Sequence, residues 1–228
     1  SNTRFVFERT SASGLIIDCM EGLEAKVKKN TKLWKGELFI HEEMIESKSL
    51  NNILTKYNFT ENTDLFSLDI DGLDYWVIKN LPKNFSKIAI LEYNSIFGDK
   101  LEVTVPEIKM FDRKKYHHSH LCYGSSLKAI INLMKNKNFY FVGSNLLRNN
   151  AFFVSNDFPK ERYFPNLKVY DLEYHTNYNV SESRDVNGKL NYLKGNDKIK
   201  SILDCEIVNV SDKNYNQDKL RHILEKLN

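Results

Sequence analysis

The chain has 228 residues, with 33 Lys or Arg against 30 Asp or Glu and a formal charge of +3. Hydrophobic residues at 41% and charged residues at 28% exclude a disordered chain, and the even charge balance argues against a dedicated nucleic-acid binder, which needs a clustered basic surface. Cys19, Cys122 and Cys205 form no C-x-x-C pair and are odd in number, which argues against a disulfide framework or a structural zinc site and for a reducing, cytoplasmic compartment; no apolar run approaches the roughly 18 residues of a membrane span.

Short apolar runs alternate with amphipathic stretches, the pattern of repeated β-α units in a mostly parallel sheet. Asn2 or Thr3 caps a first short helix running to Arg9. Leu15 to Asp18 reads as a strand ending on an acid, Gly22 to Asn30 as a helix with a basic C-terminal end, and Gly36 to Ile40 as a second strand. Ser49 opens a helix to Tyr57. Leu65 to Asp69 is a third strand, Asp74 caps a short helix holding Tyr75, Trp76 and Ile78, and Ile88 to Glu92 is a fourth strand. The segment from Asn94 to Cys122 lacks periodicity, and a loop of that length is usually functional. Ser125 to Lys137 carries Leu127, Ile130, Ile131 and Met134 on one helical face. Phe139 to Val142 and Ala151 to Val154 read as an antiparallel pair. Beyond them, short strands are expected near Lys168 to Tyr174 and Lys189 to Tyr192, with a terminal helix from Gln217. With no repeat or linker, residues 1–228 read as one domain: a core over 1–157 and a C-terminal extension over 158–228.

Three of these strands finish on acids: Asp18, then Asp69 and Asp71, then Glu92. Ligands of an open parallel sheet bind at the carboxyl ends of its strands, so these groups are expected to converge on one crevice. Asp18 suits the ribose hydroxyls of a nucleoside cofactor. Asp69, Asp71 and Glu92, with Asn94 beside them, are hard oxygen ligands for Mg²⁺ or another divalent cation, which would orient a substrate hydroxyl and lower its pKa. Without a metal, one carboxylate serves as general base.

The stretches SLDIDGLDYWVIKNL (Ser67 to Leu81) and IAILEYNSIFG (Ile88 to Gly98) resemble the FkbM-like methyltransferases. So do YGSSLKAIINLMKNKNFYFVGS (Tyr123 to Ser144), NAFFVSND (Asn150 to Asp157) and the opening Ser1 to Cys19, a likeness over residues 1–157 in consistent order. The resemblance implies an α/β fold with a seven-stranded, Rossmann-like class I methyltransferase sheet, mostly parallel with an antiparallel C-terminal hairpin. It implies S-adenosyl-L-methionine as donor and a sugar or nucleotide-sugar hydroxyl as acceptor, as in bacterial surface-polysaccharide synthesis. In those terms Asp18, with Cys19 and Asn2 nearby, holds the cofactor; Asp69 and Asp71 flank donor and acceptor; and Asp71, Glu92 and Asn94 are the tentative metal ligands. The family's first strand and glycine-rich turn have no counterpart here, which predicts a native segment ahead of Ser1.

The run YHHSHLCYG places His117, His118 and His120 in the long loop, either as a substrate-facing group with His118 as general base, as a three-histidine metal site, or as a solvated loop. Arg113, Lys114 and Lys115 either neutralise a phosphate on a nucleotide-sugar or form a solvated charge run. Tyr75 and Trp76 either stack on a ligand or belong to the core; His41 reads as structural. A homo-oligomer is compatible with all of this. Two other classes compete with the transferase: a truncated, non-catalytic module binding a nucleotide-sugar or protein partner, and a Rossmann oxidoreductase, which lacks its G-x-G-x-x-G.

Overall fold

The computed structural model describes residues 3–31, 35–60, 63–159, 162, 171–176, 182–212 and 214–227. In chain order the elements are α1 (Arg4–Arg9), β1 (Gly14–Asp18), α2 (Leu23–Asn30), β2 (Leu38–Glu42), α3 (Leu50–Lys56), β3 (Leu65–Leu68), α4 (Asp74–Asn80), β4 (Ile88–Glu92), a 3-10 turn (Ser95–Phe97), β5 (Val103–Thr104), α5 (Arg113–Tyr116), α6 (Leu127–Asn136), β6 (Phe139–Ser144), β7 (Asn150–Ser155), α7 (Leu172–Thr176), α8 (Asn196–Lys200), β8 (Glu206–Asn209), β9 (Gln217–Lys219) and α9 (Leu220–Glu225).

The fold is mixed α/β. Instead of one continuous sheet, the described strands form three: a parallel pair β1-β2, a four-stranded sheet in the order β3-β4-β7-β6, and an antiparallel β5-β8-β9. In the second sheet β3 runs parallel to β4, while β4 with β7 and β7 with β6 are antiparallel. The expected hairpin is β6-β7, its register shifted between Phe141 and Gly143. Strand β4 sits inside, and Ala89, Ile90 and Leu91 are buried on both faces, as its unbroken apolar run requires.

Helix α6 forms where its apolar period lies. The Ser126 hydroxyl accepts the Ala129 N–H at 3.3 Å and caps it, and Leu127, Ile130, Leu133 and Met134 are all buried. Burying four such side chains contributes about 6–12 kcal/mol before chain entropy is subtracted. The same hydrophobic cluster takes in Ala89 and Leu91 of β4, Ala151 and Phe153 of β7, and, from the C-terminal part, Ile202, Ile207, Leu220 and Ile223.

Several local expectations are corrected. The segment near 168–174 is helical from Leu172, its first three residues lying outside the described set. Near 189–192, Leu190 makes only an isolated bridge to Arg184. Gln217 opens a short strand, and the last helix begins at Leu220. Thr3 and Ser49 occupy N-cap positions without a side-chain capping bond, and Asn2 lies outside the described residues. No helix among the described residues is long and apolar enough to cross a membrane.

Candidate active site

The carboxyl ends of β1 and β3 open onto a cavity of about 180 Å³ lined by Asp18, Cys19, Glu43, Asp69, Asp71 and Phe111, with Ile17, Met44, Ile45 and Ile70 as apolar wall. A second cavity of about 360 Å³ lies between the edge strands β1 and β3 and shares Ile17, Ile45, Asp69 and Ile70 with the first. Asp18 is exposed, and its Oδ1 accepts the Met20 N–H at 2.9 Å. Cys19 beside it is exposed.

The loop after β3 is held by Asp74. Its carboxylate, 1% exposed, accepts the N–H groups of Ile70 (3.2 Å) and Gly72 (3.1 Å). Burial pushes its pKa up to about 7 against those two bonds. Asp74 therefore acts on the loop rather than as a plain helix cap. The loop places Asp71 at φ 57°, left-handed backbone that Asp tolerates better than most residues and that costs about 1 kcal/mol or more. Gly72 is required at the next position, because a Cβ there would stand 2.2 Å from the Phe111 ring.

Asp69, Asp71 and Glu92 each bring a carboxylate oxygen within 4.8 Å of the others. Arg113 Nη1 pairs with Asp71 Oδ1 at 2.7 Å, and its guanidinium lies 4.9 Å from the Tyr123 ring centre. Glu92 is 7% exposed, and its Oε2 has no hydrogen-bond partner. Burial, then the Asp74, Asp69 and Asp71 carboxylates, push its pKa up to about 10, with Arg113 opposing. Free Glu92 thus keeps its proton at neutral pH. Asp69 is raised as well, first by desolvation and then by Asp71.

Not every expected residue joins. Asn94 is fully used as a loop staple: Nδ2 donates to the carbonyls of Leu121 (2.8 Å) and Tyr123 (3.0 Å), and Oδ1 accepts the Ile96 N–H. It is no part of the carboxylate cluster. His118 is exposed, stacked 4.1 Å from the His117 ring, and lines neither cavity. Among the described residues the three histidines do not form a joint ligand group. Tyr75 and Trp76 are core residues, the latter donating Nε1–H to the Val105 carbonyl at 2.9 Å. His41 is structural, between Tyr57 and Glu43. Tyr123 carries no signal of its own in the sequence, and Arg113 is one of three adjacent cations there; the fold pairs it with Asp71. Asp74 did leave a signal, an acid placed to reach back to the N–H groups of the preceding turn.

Comparison with family models, curated proteins and solved structures finds no match to this chain.

Proposed function

We propose that the chain is an S-adenosylmethionine-dependent O-methyltransferase with a Rossmann-like sheet, acting in the cytoplasm on a hydroxyl of a sugar or nucleotide-sugar. The observation that carries this reading is the meeting of Asp18, from the end of β1, with Asp69 and Asp71, from the end of β3, on one cavity. The strand order supports the fold. In a doubly wound sheet of order 3-2-1-4-5-6 the first strand lies at the centre; with β1 to β4 as its second to fifth strands, the larger cavity between β1 and β3 falls at that place.

The residues fit the donor. The exposed Asp18 carboxylate is free to accept ribose hydroxyls, and Ile17, Met44, Ile45 and Ile70 give adenine an apolar wall. S-adenosylmethionine, when bound, supplies a methyl group already activated on sulfonium. The protein has then to position the acceptor oxygen, take its proton and exclude water. Asp69, exposed at the rim and raised in pKa, would take the proton of the acceptor hydroxyl. Arg113 fixes Asp71 and offsets the local negative charge. Asp69, Asp71 and Glu92 also suit a hard divalent cation, which would lower the pKa of the acceptor hydroxyl.

A second reading, a non-catalytic module for a nucleotide-sugar or protein partner, is favoured by one fact. No described strand lies between β1 and β3, where the resemblance puts the glycine-rich turn. Titration calorimetry with S-adenosylhomocysteine separates the two. Binding heat that Asp18→Ala abolishes supports the transferase, and no heat removes it. A methyl-transfer screen on nucleotide-linked sugars, with Mg²⁺ and with EDTA, then identifies acceptor and metal; normal turnover in both Asp69→Ala and Asp71→Ala would refute the site.

A further inference from the structure

A second cluster lies outside the carboxylate site, where the loop before α6 meets the start of β8. His117 Nε2, Asp204 and Cys205 Sγ offer ligand atoms that all lie within 4.8 Å of one another. Cys122, wholly buried, stands outside this ligand group. The His117 side chain is 8% exposed, and its Nε2 stands 3.4 Å from Asp204 Oδ1. That contact lacks hydrogen-bond geometry, and Nε2 is a buried polar atom without a hydrogen-bond partner. A buried imidazole nitrogen left in that state is costly unless something else binds it. The other ring nitrogen is anchored: Nδ1 lies 2.7 Å from the Ser119 hydroxyl, which orients the ring so that Nε2 faces the sulfur and the carboxylate. Nδ1 also accepts the Ser119 N–H at 3.3 Å, so the ring proton sits on Nε2, and metal binding shifts it to Nδ1, where the Ser119 hydroxyl accepts it.

We infer that His117, Asp204 and Cys205 hold a borderline-soft divalent ion, Zn²⁺ above all, with the fourth tetrahedral position open to solvent. One sulfur, one imidazole and one carboxylate suit zinc better than Mg²⁺, which takes oxygen donors. Zinc bonds of about 2.0–2.3 Å set donors roughly 3.3–3.8 Å apart, so the cluster needs only about 1 Å of side-chain closure. Asp204, its side chain 57% exposed, gives an ion a way in from solvent. Binding displaces to solvent any proton still on the Cys205 sulfur, which bonds the metal as thiolate. The site joins the 117–122 loop to β8, beside the bond from the Tyr116 hydroxyl to the Glu206 carbonyl. Its ligands are far apart in sequence, so no C-x-x-C spacing announces it.

Co²⁺ serves as the spectroscopic probe and Zn²⁺ as the competitor, on reduced, EDTA-treated full-length protein. The expected result is about one Co²⁺ per chain with a near-ultraviolet sulfur-to-cobalt charge-transfer band, bleached by Zn²⁺. The band disappears in Cys205→Ser, and affinity falls at least about 10-fold in His117→Gln. Glu92→Gln retains the band, which keeps this site separate from the carboxylate cluster. The spectrum of the unmutated protein decides by itself, so a variant that fails to fold does not blunt the test. No sulfur-to-cobalt band, or a band that survives Cys205→Ser, overturns the site. So does a reduced protein that takes up no metal but forms a Cys122–Cys205 disulfide in air, seen as the loss of two hydrogens by mass: that result makes the pair a redox couple instead.

Discussion

Glu92→Gln tests the physics of the carboxylate cluster without any substrate. The side chain is buried beside three other carboxylates, with Arg113 as opposing charge, and its pKa in the folded protein is raised to about 10 from an ordinary 4.5. A raised acid binds a proton in the folded state that the unfolded chain has already lost. Its stabilising effect is therefore complete at low pH and is lost as pH rises towards 10. The slope is about 1.4 kcal/mol per pH unit for one such proton, or about 3 kcal/mol between pH 7 and 9. For a chain of this size that lowers Tm by roughly 6–12 °C. Asp74, raised to about 7, acts mainly below this window. Cys205 acts against it: its neighbours Cys122 and His117 hold the thiol down to about 6, so its contribution grows between pH 6 and 9. The informative quantity is thus the difference between the unmutated protein and Glu92→Gln, both treated with EDTA and melted at pH 7 and pH 9. Gln keeps the shape and loses the titration, so the variant should gain about 3 kcal/mol at pH 9 relative to pH 7. Parallel pH profiles for the two proteins would refute a neutral, desolvated Glu92.

Asp18→Asn should weaken S-adenosylhomocysteine binding at least about 10-fold by calorimetry and leave Tm unchanged, because the residue is exposed and Asn keeps the acceptor for Met20. Gly72→Ala drives a methyl group into the Phe111 ring and should cost about 1–3 kcal/mol in urea unfolding; an unchanged midpoint would contradict that contact. Trp76→Phe strands the Val105 carbonyl and should cost about 1–3 kcal/mol while cofactor affinity stays the same. A loss of affinity at constant stability would return Trp76 to a stacking role.

The sequence displays those parts of the molecule that depend on local periodicity. The run from Ala89 to Leu91 is apolar because β4 is covered there on both faces, and the 3.6-residue spacing of α6 survives because one face is buried. Acids at strand ends are legible for the same reason: alternating β and α elements decide which end of the sheet they reach. What the sequence conceals is set by distant chain segments. Arg113 is one of three adjacent cations until the 94–122 segment folds it onto Asp71. Asn94 follows Glu92 closely yet turns to bind the Leu121 and Tyr123 carbonyls, because a buried amide must satisfy its hydrogen bonds before it serves a ligand. His117 and Cys205 meet only through the docking of β8 against β5. The strands expected near 168–174 and 189–192 rested on propensity alone, the weakest of these signals.

The division into separate sheets has a consequence for cooperativity. Strand β1 has five paired residues with β2, and no ladder joins it to β3. Side-chain packing, through Ile17, Ile45 and Leu50, ties this pair to the main cluster. Dispersion and apolar burial tolerate small displacements that a hydrogen-bond ladder does not. The β1-β2 unit can therefore open on its own, at a free energy below that of global unfolding, while β4, paired on both sides, opens only when the whole chain does. Amide hydrogen exchange would then divide the molecule in two, with slow amides in β4 and β7 and faster ones in β1. Anything that bridges Asp18 and Asp69 would erase that boundary, so protection of the β1 amides would report occupancy of the cavity they share.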